Sequence, residues 1–474
     1  MRRALFVLRT KAAVLENLPI AHALKATGNW EVEFLVDPAY AVQQVSLIVE
    51  AGFHAFHPSG KELLPSQKDH VAVTLSEAHP ESHASCFRGW SLGSLRERIF
   101  RALPAIVRYA LHYRSRIRRM RTFLSVHAPA VVVLSGDRQL GWELACIKAS
   151  REAGIPTLIT PYAIQFAEGI AVCRVRRADY RKRFAVSGIV RSTIAALFPD
   201  WTFVYRGERM LYYPVSEVLA AWVLGLMPKR PWTVGGGDAT LMAIESAYAQ
   251  KIFIEDGVHP DHMVITGKPC NDDIAREINR SHREPLRSSL GVPHGHKVVL
   301  CSIPQLAEHD LLPWDKHLQE VEFLLSTFAA LKNVSTILSL HPKSDLARYQ
   351  PLAEKHSAVI AKERIYTLQP ICDVFVAGVS STVTQAIGIG KPCVVIDYFG
   401  LDDRHYYDKA PGVIVVRERE KLRPTLEAIL RDESYYQGLV ADQKKHSSQW
   451  ALMDGKCTER MVQVIERLEA ASEV

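Results

Sequence analysis

Short apolar runs alternate with stretches of helical periodicity along almost the whole chain. In the first part, ALFVL (4–8), EVEFLV (31–36) and FHAFH (53–57) read as strands, and AVLENLPIAHALKA and AYAVQQVSLIVEAG between them read as helices. The pattern resumes with AVVVLSGD (130–137), a helix over ELACIKASREAG stopped by Gly154, and IPTLITPY. Later strands are predicted at MVITGKP (263–269), KVVLCSI (297–303), STILSLHP (335–342), AVIA (358–361), DVFVAG (373–378), PCVVID (392–397) and VIVV (413–416). Strand-like runs alternating with helical patterns are the mark of βαβ units, so the expectation is parallel sheets covered by helices.

Two such series are separated by a polar stretch, NDDIAREINRSHREPLRSSLGVPH (271–294), broken by Pro285, Gly291 and Pro293. The predicted fold is α/β, with two Rossmann-like domains whose parallel sheets face each other across a cleft. The boundaries read as 1–270 for the N-terminal domain, 271–294 for a linker, 295–434 for the C-terminal domain, and 435–474 for terminal helices that could pack back on the first domain. Three features stand outside the alternation. Residues 94–125 read as one long basic helix. A less regular basic insertion follows residue 162. The segment YYPVSEVLAAWVLGLMPKRPW (212–232) fits either a core helix or an interfacial one.

A length of 474 residues suits two or three domains, and 48% hydrophobic with 23% charged residues is a globular composition. The apolar core of the N-terminal MRRALFVLRTK is too short for a signal peptide, and a first strand is the better reading. No run is long and apolar enough to predict a spanning helix. The eight cysteines are scattered singly, which signals neither a disulfide framework nor a zinc site and suggests a reducing cytoplasm. The net charge of +7 is concentrated in RYALHYRSRIRRMR (108–121) and RVRRADYRKR (174–183). These stretches fit a solvated helix face, an anionic membrane surface or a polyanionic acceptor. Nucleic acid is disfavoured, since no aromatic-interleaved binding motif accompanies the charge.

The chemistry-bearing residues sit at predicted strand ends, where open parallel sheets bind ligands. After DVFVAG come Ser380, Ser381 and Thr382, followed by a helical pattern with no acid between Gly378 and Gly390. Ser380 reads as the helix N-cap. Unpaired N–H groups at a helix start, together with hydroxyl donors, suit a phosphate. After LSL, His341 and Lys343 flank Pro342, and both can donate to phosphate oxygens. In the first domain Asp137 closes the strand AVVVLSG, and Glu143 opens the next helix. Each is a candidate general base, and Asp137 fits a helix cap equally well. Gln165, Glu168, Glu308 and His309 are further candidate cleft residues. No cluster of metal ligands stands out.

The HP pair after an apolar strand, with DVFVAGVSS and AIGIGKPCVVID, resembles the nucleotide-binding half of GT-B enzymes. The similarity is greatest to capsule and surface-polysaccharide glycosyltransferases, CMP-sugar-dependent ones included, and to polyglycerol-phosphate transferases. It implies that His341, Ser380 and Ser381 hold the donor's phosphate. The layout is also similar to UDP-GlcNAc 2-epimerases, in VVVLSGD, AGIPTLI, GVHPDHMVITGKPCNDDI and SSTVTQAIGIGKP. Gln385 falls where that family has a ribose-binding glutamate. Pro161 replaces an expected glutamate, and CSIPQLAEH replaces a basic stretch. Both departures count against epimerisation. Glu255-Asp256-Gly257 resembles the acidic motif of bacterial CMP-sialic acid transferases, which implies a base at Glu255. A helix end capped by Gly257 is the plainer alternative.

These readings predict a metal-independent glycosyltransferase of surface or capsular polysaccharide synthesis, needing no cofactor beyond its nucleotide-sugar co-substrate. It would act on a glycan or lipid-linked acceptor, in the cytoplasm or peripherally on the inner membrane face. A nucleotide-sugar epimerase or hydrolase, and a non-catalytic nucleotide-binding docking protein, are the alternatives.

Overall fold

The computed structural model describes residues 1–64, 104–160, 167–279, 283–341, 344–402 and 404–472. The first lobe is built on β1 (Arg2–Leu8), β2 (Trp30–Val36), β3 (His54–Phe56), β4 (Val131–Leu134), β5 (Thr157–Ile159), β8 (Leu241–Ile244) and β9 (Met263–Ile265). They form one parallel sheet in the order β3-β2-β1-β4-β5-β8-β9. The second lobe holds β10 (Lys297–Ser302), β11 (Val334–Ser339), β12 (Val359–Ile360), β13 (Val374–Ala377), β14 (Cys393–Ile396) and β15 (Val413–Val416), parallel in the order β12-β11-β10-β13-β14-β15.

The unbroken apolar runs are strands clothed on both faces. Leu5, Val7, Val132 and Leu134 enter one core cluster, and Ala4, Phe6, Leu8, Val131 and Val133 enter the other. The second sheet divides likewise, with Val299 and Cys301 on one face and Val298 and Leu300 on the opposite one. This is the side-chain period of two expressed within a uniformly hydrophobic sequence. Cys301, Cys372 and Cys393 fill these layers as small apolar side chains.

Among the described residues of the first lobe the helices are α1 (Lys11–Ala26), α2 (Ala41–Glu50), α3 (Ala105–His127), α4 (Trp142–Glu152), α5 (Ala167–Arg176), α6 (Ala178–Phe184), α7 (Gly188–Leu197), α8 (Val215–Val223) and α9 (Ala247–Glu255). The basic stretch 108–121 lies in α3, and residues 94–103 of the predicted helix fall outside the described residues. The insertion proves more ordered than its sequence suggested. It contains α5 to α8 and an antiparallel hairpin, β6 (Thr202–Tyr205) with β7 (Glu208–Leu211). Neither the hairpin nor β8 was legible. The β8 run, LMAI, has a single β-branched residue and the β7 run, ERML, is half charged, so neither stands out from its surroundings as a strand. Within 212–232, α8 buries Val218, Ala220 and Ala221 but leaves Trp222 and Val223 exposed, so it is a core helix with an uncovered end.

The predicted linker is largely helical: α10 (Pro269–Asn279) and α11 (Arg283–Ser289). Pro269 and Pro285 occupy first turns, where a proline removes no helix hydrogen bond. Arg283 and Arg287 of α11 bind Asp373 at 2.8 and 2.6 Å, which joins this helix to the second lobe. That lobe adds α12 (Trp314–Ala329), α13 (Leu346–Lys355), α14 (Ile365–Leu368), α15 (Thr382–Gly388) and α16 (Arg419–Arg431). The chain then recrosses. In α17 (Glu433–Trp450), Trp450 stacks on Tyr248 of the first lobe with ring centroids 3.8 Å apart. Finally α18 (Cys457–Ser472) inserts Met461, Val464 and Ile465 into the first lobe's core. Among the described residues, no helix is long and apolar enough to cross a membrane.

Candidate active site

Each sheet has a switch point, where strand order reverses and the loops at the carboxyl ends part. In the second lobe this falls between β10 and β13. The loops after them, Ser302–Pro304 and Gly378–Ser380, line a cleft of ≈ 850 Å³ between the lobes. That volume lies within the range of sites for small-molecule ligands and cofactors. A Cβ on Gly378 would lie 3.2 Å from the Pro304 ring, so a bare backbone lets these loops approach.

His341, leaving β11, enters the same cleft with Ser380 and Thr382. The hydroxyls of Ser380 and Thr382 are 2.9 Å apart, and the Ser380 hydroxyl also accepts the Thr382 N–H at 3.3 Å. Two further bonds fix the turn. The Tyr407 hydroxyl donates to the Ser380 carbonyl at 2.5 Å, and the Gln369 amide donates to the Thr382 carbonyl at 2.8 Å. The helix that follows, α15, is only seven residues long and takes Ser381 rather than Ser380 as its N-cap. Ser381 makes no side-chain cap bond and is not among the residues lining the cleft. Lys343 lies outside the described residues, as do Pro161, Gln165 and Pro342.

Gln385 is turned the other way. It is buried, and its amide donates to the Asn271 side chain at 3.2 Å, so it fastens α15 to α10 behind the cleft instead of facing a ribose.

The three carboxylates expected as bases fare differently. Asp137 is wholly buried, and its two oxygens accept the N–H groups of Gly235 and Gly237 at 3.0 and 2.7 Å. A Cβ on Gly237 would sit 2.7 Å from an Asp137 oxygen, so the loop is wrapped tightly around the carboxylate. Asp137 is a loop anchor, with no face left for an acceptor. Glu255 ends α9 on the surface, where it meets only Lys251 at 4.0 Å among the ion pairs of the described residues. Its neighbour Asp256 instead pairs with Arg404 at 2.6 Å.

Glu143 is buried and accepts the hydroxyl and N–H of Ser135 at 2.5 and 3.2 Å. It lines a separate cavity of ≈ 110 Å³ at the first lobe's own switch point, between β1 and β4, with Arg9, Thr10 and Glu245. Burial pushes its carboxyl from 4.5 up to about 7, against the pull of Ser135 and Arg9. A proton held more tightly in the folded state stabilises the fold below the unfolded value and ceases to do so as pH rises through the folded one. Stability should therefore fall between about pH 4.5 and 7 through this group. Denaturant midpoints measured across that window should show a shallower decline in Glu143→Gln than in the parent.

The first lobe reaches the cleft through residues the sequence did not single out as bases. Glu16, on α1, lines the cleft opposite the second lobe, as does Glu168 on α5. Arg404 donates to Glu168 at 2.7 Å, and Arg206 donates to the Gly400 carbonyl at 2.7 Å, so the insertion clasps the second lobe's 399–404 loop. Glu16 had no distinguishing signal, because an acid on an amphipathic helix ordinarily faces water. Glu308, by contrast, accepts the hydroxyls of Tyr349 and Ser344 at 2.6 and 2.7 Å and serves to tie α13 down. Asp272, Asp454 and Cys457 come together in the first lobe, where Asp272 accepts the N–H groups of Cys457 and Thr458 at 2.8 Å and caps α18.

Two parallel-sheet lobes, an interlobe cleft at a switch point and a terminal helix crossing back to the first lobe define a GT-B fold. The solved structures agree. UDP-GlcNAc 2-epimerase from Neisseria meningitidis bound to UDP-GlcNAc matches 98% of this chain and 100% of its own, with TM-score 0.55 at 10% identity. The wall teichoic acid polymerase TagF soaked with CDPG matches 100% and 90%, with TM-score 0.53 at 11% identity. In sequence, residues 240–467 match the family described as CDP-Glycerol:Poly(glycerophosphate) glycerophosphotransferase. The processive diacylglycerol beta-glucosyltransferase of Bacillus pumilus (strain SAFR-032) is 24% identical over 262 residues, which is 53% of this chain and 64% of that enzyme. The chain thus matches less than two thirds of that relative's length.

Proposed function

We propose that this chain is a glycosyltransferase of surface-polysaccharide assembly, using a nucleotide-activated sugar and a hydroxyl of a glycan or lipid-linked acceptor. The observation that carries the reading is the convergence of His341, Ser380 and Thr382 on one interlobe cleft. Hydrogen-bond donors fixed around a departing phosphate stabilise charge as it develops, without reorganising. In the step proposed, the Glu16 carboxylate takes the acceptor's proton. The acceptor oxygen bonds to the anomeric carbon, and the bond from that carbon to the phosphate oxygen breaks with its electron pair remaining on the phosphate. His341, Ser380 and Thr382 receive that charge. The base role passes to Glu16 because geometry precedes acidity in choosing a base, and this carboxylate shares the cleft with the phosphate donors.

A second reading, transfer of glycerol phosphate, is favoured by the family match over 240–467. Here the acceptor oxygen bonds to phosphorus and a nucleoside monophosphate leaves. Donor labelled in its distal phosphate separates the two. Label retained by the released nucleotide supports glycosyl transfer, and label in the product supports phosphotransfer. Consumption of UDP-sugar without any acceptor would favour an epimerase or hydrolase instead.

The nucleotide site is tested by calorimetry with UDP, CDP, CMP and GDP on the parent and on His341→Ala. Loss of a charge-assisted donor should weaken the preferred nucleotide about 10- to 100-fold. Unchanged affinity in this variant would remove His341 from the phosphate site.

A further inference from the structure

The large apolar side chains that the first lobe leaves outside concentrate on its insertion. Ile189 is 86% exposed, Val223 70%, Leu197 67%, Val190 61% and Trp222 51%. Single exposed apolar residues need no explanation. These five form a connected strip. Helical spacing on α7 places Val190, Thr193 and Leu197 in one row and Ile189, Thr193 and Ala196 in the next, with no charge in either. The one charge on α7, Arg191, reaches the carbonyls of Lys182 and Ala185 on α6 and its C-terminal flank at 2.8 and 2.9 Å. At the other end of α7 the Phe198 ring packs on Trp222, with centroids 5.6 Å apart, joining the strip to the uncovered end of α8. From Ile189 to Leu197 alone the strip runs about 12 Å.

Cations border it. Arg181 and Lys182 of α6 are exposed at the start of α7. At the far end, a Cβ on Gly225 would lie 3.3 Å from the Lys148 ammonium, which is itself paired with Glu152 at 3.1 Å. Alongside, α8 packs on α3, whose outer row carries exposed Arg114 and Arg118, while Arg121 in the same row is paired with Glu152 at 2.7 Å. Residues 167–232 hold eleven Lys and Arg against five Asp and Glu. Two of those acids, Glu208 and Glu217, are paired with Arg181 and Arg183, while Asp200 lies exposed beside Phe198.

We propose that this face of the insertion docks on an anionic bilayer, with the α7 strip and Trp222 entering the headgroup boundary. The charge pattern selects this occupant. An uncharged apolar row rimmed by Lys and Arg matches the layering of an acidic membrane surface, with acyl carbon at depth and phosphate above it. A tryptophan suits the boundary between them. The same insertion lines the interlobe cleft through α5 and clasps the second lobe through Arg206, so docking here would bring the cleft to the membrane. The inference is measured without turnover, and it can fail while the transferase reading stands, or the reverse.

The test is co-sedimentation of the full chain with vesicles of phosphatidylcholine alone and of phosphatidylcholine with phosphatidylglycerol. The parent should bind the acidic vesicles, and less so at high salt. Ile189→Asp with Leu197→Asp should weaken binding by about tenfold or more, with unchanged circular dichroism and melting. A second pair, Lys182→Glu with Arg118→Glu, should weaken binding to acidic vesicles selectively. Parent protein remaining in the supernatant, or both variant pairs binding as the parent does, would overturn the proposal. So would light scattering that finds a parent dimer made monomeric by the aspartates, since the face would then be an interface between copies.

Discussion

Glu16→Gln is expected to lower turnover by about two to four orders of magnitude, the usual worth of a positioned general base. Nucleotide affinity should be unchanged. The substitution keeps the shape of the side chain and removes the charge that accepts the acceptor's proton, a charge that Lys268, Cys270 and Arg364 also feel. Single-turnover rates, with nucleotide affinity measured separately, test it. Full activity in this variant would move the base elsewhere in the cleft, with Glu168 next in line, although its pairing with Arg404 at 2.7 Å already occupies one oxygen. Asp137→Asn makes a useful contrast. Any loss there should track loop stability, because Asp137 accepts the Gly235 and Gly237 N–H groups and faces no cleft.

Glu245→Ala should destabilise the protein by about 3–5 kcal/mol, the expected cost of stripping one partner from a buried ion pair. Glu245 follows β8 and meets Lys268, just before α10, at 2.6 Å, with both side chains buried. Without Glu245 the Lys268 ammonium would stay buried, with Glu16 the remaining carboxylate that acts on it. Replacing both members, Glu245→Leu with Lys268→Met, should recover most of the loss, since a matched apolar pair avoids the desolvation that the ions incur. The midpoint of denaturant unfolding measures both. Equal midpoints for Glu245→Ala and the parent would show that the pair contributes nothing.

The contrast between Gln385 and Ser380 shows how far local sequence carries. Both stand in the SSTVTQAIG segment, five residues apart, Ser380 just before and Gln385 within a short helix whose start the apolar run and hydroxyls foretell. Ser380 turns to the cleft because it precedes the helix at a switch point. Gln385 turns away because it lies more than a helical turn later, against α10. The direction that Gln385 takes has no local signal, because the direction of a side chain within a helix depends on what packs against it. The linker teaches the same lesson. Its prolines and polar residues read as coil, yet Asp373 draws Arg283 and Arg287 into place, and α11 forms against the second lobe.

By itself the sequence determined the two parallel sheets, the strands at their centres, and the placement of His341 and Ser380 at strand ends, because those follow from apolar continuity and from turn residues next to it. The tertiary structure alone decided which carboxylates meet the cleft, since Glu16 and Ser380 are 364 positions apart and no local pattern links them. It likewise decided that Asp137 is spent on backbone N–H groups and that the outer row of α7 stays bare. Burial and partnership are properties of the packed chain, set by contacts between segments remote from one another in sequence.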